Sequence, residues 1–158
     1  VDCMLGKLAK WLRILGFDTL YDPAAGDDRI LNAARREGRI LLTRDTALLA
    51  RAGTLPKLAV ASESWPEQVR QVLDAFDLRG AASPHSLCLD CNVRLKPLER
   101  AAAANLVPSF VLERAGEFAL CPVCGRVFWP GTHFEAMEAR LAELLRDPPE
   151  TGQGKSRT

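Results

Sequence analysis

Two cysteine pairs, Cys88 with Cys91 and Cys121 with Cys124, constrain this chain more than any other feature of its sequence. A CxxC turn lets two thiolates converge on one ion, and two such turns supply the tetrahedral four-sulfur shell that zinc takes. Gly125 follows the second pair and supplies the left-handed residue that such a turn uses. The long gap between the pairs is tolerable, because loop-closure entropy grows slowly with length. The competing readings are a redox dithiol and an iron–sulfur site. A closed four-cysteine shell leaves no open position for a substrate, so the zinc is read as structural, folding a segment that lacks its own core. Cys3 has no partner and reads as a small buried residue. Cysteines arranged for metal and not for disulfides indicate a reducing compartment, the cytoplasm.

The first half of the chain alternates between strand and helix. Val1 and Asp2 read as the end of a strand. Leu5, Leu8, Leu12 and Leu15 recur at spacings of three and four, which predicts a helix over residues 4–15 with Lys7, Lys10 and Arg13 on its other side. Gly16 stops it. A strand is expected over 17–21 and a helix over 27–37, with Asp27 and Asp28 at its start and Gly38 as its C-cap. A strand over 39–43, a short helix over 46–52, a strand over 58–61 and a helix from Ser64 to about Phe76 follow. This alternation implies an α/β fold, a parallel sheet flanked by helices.

The pattern breaks at residues 79–84, which read as a linker. Short strands are expected over 117–120 and 126–129, around the second cysteine pair, and an amphipathic helix over 132–145. The polar, Pro- and Gly-containing stretch 147–158 reads as a disordered tail. The expected organisation is an α/β domain over 1–80, a zinc ribbon with a C-terminal helix over 81–146, and the tail. The net charge of +1 requires any attraction for a polyanion to come from local clustering. No apolar run is long enough to span a bilayer, and no secretion signal opens the chain. The absent initiator Met predicts a segment upstream of Val1, with room for an additional N-terminal domain. No GxxxxGK loop or GxGxxG turn is present, so a nucleotide cradle is unsupported.

The acids carry the chemistry. In a parallel sheet Asp2 and Asp45 both fall at the C-terminal edge, where open α/β sheets work, and a helix start can bring Asp27 or Asp28 there. Converging carboxylates repel one another unless a cation sits among them, and Mg²⁺ or Mn²⁺ binds such all-oxygen sets. A metal so held orients water for phosphodiester cleavage. Each acid alone also reads as a helix cap or a solvated surface charge. Lys7, Arg13 and Arg44 stand beside the acids as candidate phosphate contacts, or as an ordinary solvated helix face. His133 reads as a general acid, a phosphate contact or a packing residue, Trp129 as a base-stacking surface or a cover for the ribbon, and His85 as a surface residue.

The stretches "VDCMLGKLAKWLRILGFDTLY", "EGRILLTRD", "CNVRL" and "CPVCGRVFWPGTHFEAM" resemble the mut-7 C-terminal RNase domain family, a branch of the PIN-like nucleases carrying a zinc ribbon. The resemblance runs in order from Val1 to about Leu145. It implies a PIN-like α/β fold and metal-dependent RNA cleavage. Asp2 matches the acid closing the first strand, Asp45 the Asp of the Thr-x-Asp strand end, and Asp27 or Asp28 the acid opening the second helix. The family pattern has four acids, with Glu63 and Asp22 as candidates for the fourth, and a first strand that begins several residues before Val1. Two rival readings remain: a domain that binds RNA without cutting it, with the acids as caps, and an interaction module that touches no nucleic acid.

Overall fold

The computed structural model describes residues 1–131 and 134–146. His133 and the 147–158 tail lie outside the described residues. Each helix forms where an apolar stripe recurs at helical spacing and a local stop follows. Helix α1 (Gly6–Ile14) buries Leu8, Leu12 and Ile14. Helix α2 (Asp27–Glu37) starts on its two acids and ends on Gly38 in the left-handed conformation, as the sequence predicts. Asp45 caps the short helix α3 (Thr46–Arg51), and α4 (Trp65–Ala75) carries Pro66 in its first turn.

Strands β1 (Leu41–Thr43) and β2 (Lys57–Ala59) pair in parallel, Leu42 opposite Leu58. Successive side chains of β1 leave on opposite faces. Leu41 joins Leu31 and Leu48 on the side of α2 and α3, whereas Leu42 joins Leu8, Leu12 and Leu73 on the side of α1 and α4. The sheet is therefore covered on both faces, as parallel strands require.

The sheet is narrower than the sequence suggests. Residues 17–21 form no strand. The Thr19 peptide is held by side chains, its carbonyl by Arg13 and its amide by Asn92. Val1 and Asp2 sit alongside with one backbone hydrogen bond to each neighbour, Val1 N to Leu20 O at 2.9 Å and Asp2 N to Leu42 O at 3.1 Å.

The 79–84 stretch is not a free tether. A 3-10 turn occupies Arg79–Ala81, and the next residues fasten to the end of α1: Ser83 N donates to Leu15 O and His85 N to Ile14 O, both at 2.9 Å. Gly16 makes this contact feasible. Its φ is +88°, and a Cβ there would lie 2.2 Å from Ser83 O.

Beyond this junction β3 (Lys96–Leu98), β4 (Phe118–Leu120) and β5 (Val127–Phe128) form an antiparallel sheet in the order β3-β4-β5. Between the cysteine pairs the chain folds into β3, two short helices, α5 (Arg100–Ala103) and α6 (Ser109–Arg114), and β4. Ala103, Val111, Ala115 and Phe118 pack together there, so the segment has a small apolar cluster of its own, contrary to the coreless loop expected from sequence. Short helices with few periodic positions left no readable signal.

Helix α7 (Phe134–Leu145) returns to the first half of the molecule. Leu141 and Leu144 are buried in the same cluster as Leu8 and Leu73. Each contributes roughly 1.5–3 kcal/mol on full burial. The exposed Arg70–Glu143 pair at 2.7 Å adds at most about 1 kcal/mol, so the leucines hold the helix. Trp11 and Trp65 stack at 4.5 Å between centroids and lock α1 to α4.

Gly16→Ala is expected to lower the unfolding free energy by about 2 kcal/mol or more in urea titrations, combining left-handed strain with a backbone clash. Gly38→Ala shares the strain (φ +62°) but meets nothing within 4 Å, and should cost only about 1 kcal/mol.

Candidate functional site

Two sites emerge, an acid rim at the end of β1 and a four-thiol cluster. At the rim, Asp2 is buried, with 4% of its surface exposed. Its Oδ2 accepts from the Thr43 hydroxyl at 2.5 Å and the Arg44 amide at 3.4 Å, and its Oδ1 from the Met4 amide at 2.8 Å. Burial pushes the Asp2 carboxyl up, but hydrogen bonds from Thr43, Met4, Cys3 and Arg44 outweigh it and hold the group below its ordinary value of 3.8. A buried carboxylate thus stays ionised.

The Thr43 oxygen also accepts from the Asp45 amide at 2.9 Å, so one hydroxyl ties both acids to the strand end. The Asp45 carboxylate accepts from the Ala47 and Leu48 amides at 2.7 and 3.1 Å. The helix-cap reading of Asp45 is therefore realised in full. Asp27 and Asp28 stand further along, both paired with Arg51 at the far end of α3, at 2.7 and 2.5 Å. The Cys3 thiol is raised, first by desolvation and then by its hydrogen bond to Asp2 and the Asp2 charge. Cys3 is exposed, not buried as its composition suggests.

The oxygen donors suit a hard divalent cation. Their spacing does not close a cage. Among the described residues, the four cysteines form the sole group of three or more such ligands whose donor atoms lie within 4.8 Å of one another. In this arrangement Asp45 Oδ1 is engaged by the α3 amides, and Asp27 and Asp28 are paired with Arg51.

Of the basic residues, Lys7 and Arg44 line an open depression of about 640 Å³ next to Asp2, together with Tyr21, Glu63 and Trp65. Arg44 pairs with Glu63 at 3.0 Å. Asp22, the other candidate fourth acid, pairs with Arg29 at 3.1 Å. Arg13 is elsewhere. It is 8% exposed, and its guanidinium donates to Thr19 O at 2.9 Å, Leu89 O at 2.6 Å and Asp90 O at 3.3 Å. The phosphate role expected for Arg13 is corrected: a guanidinium buried on three carbonyls has no free face for RNA. Helical spacing put Arg13 on the basic side of α1, but the first cysteine knuckle packs over that side. Sequence reasoning also missed Thr43, Arg51 and Tyr21. The Thr-x-Asp spacing held the signal for Thr43; nothing local marks Arg51 or Tyr21. A separate cleft of about 450 Å³, between α2 and α4, is lined chiefly by apolar groups such as Leu12, Ile30 and Phe76 and does not include the rim acids.

The cysteine cluster is compact. Cys88 Sγ lies 3.8 Å from Cys124 Sγ, and the amides of Cys91 and Cys124 each point at the first sulfur of their pair at 3.5 Å. Burial raises the Cys121 thiol, but amides of Cys124 and Val123 and the neighbouring thiols bring it down to about 7. The Cys91 thiol is pushed up to about 12, first by its hydrogen bond to Cys124 and then by desolvation. Four thiolates brought this close repel one another unless a cation sits among them. The donor set fits a metal ion such as zinc.

The structure is thus an α/β unit with acids at the end of β1, followed by a four-cysteine cluster that could hold a metal ion. The family model described as "Mut7-C RNAse domain" matches residues 1–141, and the chain belongs to that family. Comparison with curated proteins and with solved structures returned no match. Family membership points to nuclease chemistry with RNA as substrate. No helix among the described residues is long and apolar enough to cross a membrane.

The Asp2 carboxyl sits lower when folded than when unfolded, so its stabilisation is complete above the unfolded value of 3.8 and is lost as pH falls through the lower folded value. The urea midpoint should therefore drop as pH falls below the unfolded value of 3.8, and Asp2→Asn should flatten that drop. At the ribbon, Cys121→Ser should abolish stoichiometric zinc retention, measured by elemental analysis after dialysis, because three thiolates leave the shell open.

Proposed function

We propose that this chain is a metal-dependent ribonuclease that hydrolyses RNA phosphodiester bonds at the rim around Asp2 and Asp45, on a PIN-like sheet. The observation that carries the reading is the shared Thr43 hydroxyl, which ties an ionised, buried Asp2 and the Asp45 turn to one strand end. Asp2, Asp45 and one or both of Asp27 and Asp28 are the residues that would hold Mg²⁺ or Mn²⁺. When bound, such an ion supplies Lewis acidity towards water and the scissile phosphate. For Asp27 and Asp28 to serve, Arg51 must release them. Lys7, exposed on the first turns of α1, and Arg44 would orient the RNA backbone across the depression they line. His133 is a further candidate phosphate contact. The four cysteines would hold zinc in a structural role, and thiolates kept for metal fit a reducing compartment such as the cytoplasm.

A second reading has its own support. Asp45 is engaged as a cap and Asp27 and Asp28 are neutralised by Arg51, which suits a domain that binds RNA without cutting it.

End-labelled RNA incubated with Mn²⁺ separates the two. Asp45→Asn preserves the helix cap, since Asn caps as well as Asp, so a loss in this variant reports the charge and not the fold. Cleavage should fall on the order of a hundredfold for Asp2→Asn and for Asp45→Asn. Cleavage unchanged in both variants removes these acids from the site. Salt-dependent RNA binding with no cleavage in any divalent ion favours the second reading.

A further inference from the structure

The first cysteine knuckle and the rim are joined by a short hydrogen-bond network that runs from the buried Arg13 out to the exposed Asp18. Arg13 Nη1 donates to Leu89 O and Asp90 O, the two carbonyls between Cys88 and Cys91, while Arg13 Nε donates to Thr19 O. One residue past the knuckle, Asn92 stands in the left-handed conformation (φ +56°). That conformation turns its amide back on the same peptide. Asn92 Oδ1 accepts from Thr19 N at 2.9 Å and Nδ2 donates to Asp18 Oδ1 at 2.5 Å. Asp18 is further pinned by Arg39 at 3.0 Å. The backbone amide and carbonyl of Thr19, in its two flanking peptide groups, are therefore fixed by residues bound to or next to the cysteine knuckle. The next carbonyl, Leu20 O, accepts from the backbone nitrogen of Val1, and Asp2 follows directly. Three elements distant in sequence thus meet at one peptide.

We propose that Arg13 and Asn92 are positioning residues that couple the four-cysteine site to the acid rim, so that an ordered knuckle holds Asp2 in register with Thr43. Neither side chain touches substrate. Arg13 spans two carbonyl sets with a planar fork, which lysine cannot reproduce with a single ammonium. Asn92 closes the second half of the clamp. Coupling of this kind is reciprocal: loosening the Thr19 clamp weakens the metal shell by the same factor that losing metal loosens the rim. The consequence for catalysis rests on the rim being the cleavage site; the coupling itself does not.

The test uses the full zinc-loaded chain. Asn92→Gly keeps the left-handed backbone and deletes only the amide group. Peptide-resolved hydrogen exchange should rise on the order of tenfold over residues 17–21 and 41–45 while α4 stays protected. Zinc affinity, measured by competition with a chromogenic chelator, should weaken about ten- to a hundredfold, as for other outer-shell partners. Arg13→Lys should show the same pair of effects; should it fail to fold, Asn92→Gly carries the test. Exchange over 17–21 and 41–45 equal to that of the unmutated chain, or an unchanged zinc affinity, overturns the proposal. With RNA, kcat should fall in Asn92→Gly while KM holds. If no form cleaves RNA yet exchange and zinc affinity shift together, the ribonuclease reading fails and the coupling stands.

Discussion

A guanidinium taken out of water must have its donors satisfied, and the way Arg13 meets that demand organises the molecule. Its three carbonyl acceptors come from two places far apart in the chain, Thr19 beside the rim and Leu89 with Asp90 inside the first knuckle. Leaving such a charge unpaired in the interior would cost several kcal/mol, so the two segments are held wherever α1 places this side chain. Burial lowers the Arg13 pKa, and the nearby Asp90, Cys88, Asp18 and Cys91 pull it back, so the group stays charged. Helix α1 is itself held rigidly by Leu8, Leu12 and Leu15 in the main core and by the Trp11–Trp65 stack.

From that frame the acid rim follows. Asp2 stays ionised in a buried setting because a hydroxyl and two amides face it, and Thr43 can supply that hydroxyl because it closes a strand buried on both faces. The same oxygen receives the Asp45 amide, which orients the start of α3. At the other end of α3, Arg51 neutralises Asp27 and Asp28. The acids are thus balanced individually, by hydrogen bonds, a helix N-terminus and an arginine. That balance makes a stable resting arrangement and sets the task for any cation that gathers them, since it must compete with the Arg51 charge.

The ribbon and the α/β half share more than a chain. Helix α7 crosses back to fill the core between α1 and α4, and Arg140 lies 5.8 Å over the Trp65 ring. His85, which pairs with Glu138 at 2.7 Å, joins the junction after α4 to the same helix. The cluster of Ala103, Val111, Ala115 and Phe118 gives the insertion between the cysteine pairs a packing centre independent of the sulfurs. Apolar burial therefore supports this segment independently of the four sulfurs.

By itself the sequence determined what short-range chemistry can encode. The cysteine spacing called for four converging sulfurs, the leucine period for α1, Gly38 for the end of α2, and the Thr-x-Asp turn for an acid at a strand end; all of these are local patterns with local causes. The acids were legible as residues, but neither their partners nor how closely they converge was. Whether Asp27 and Asp28 face a cation or Arg51, and whether Arg13 meets phosphate or backbone carbonyls, depends on which surfaces come to lie opposite one another. A helical wheel gives the side on which Arg13 projects; only the packing of the knuckle onto that side makes it a buried clamp. Likewise residues 17–21 carry strand composition, yet Arg13 and Asn92 take the Thr19 peptide groups that a ladder would need. Tertiary structure decided these points because a polar group spends its hydrogen bonds on whatever the fold brings within reach, and that choice has no signature in neighbouring residues.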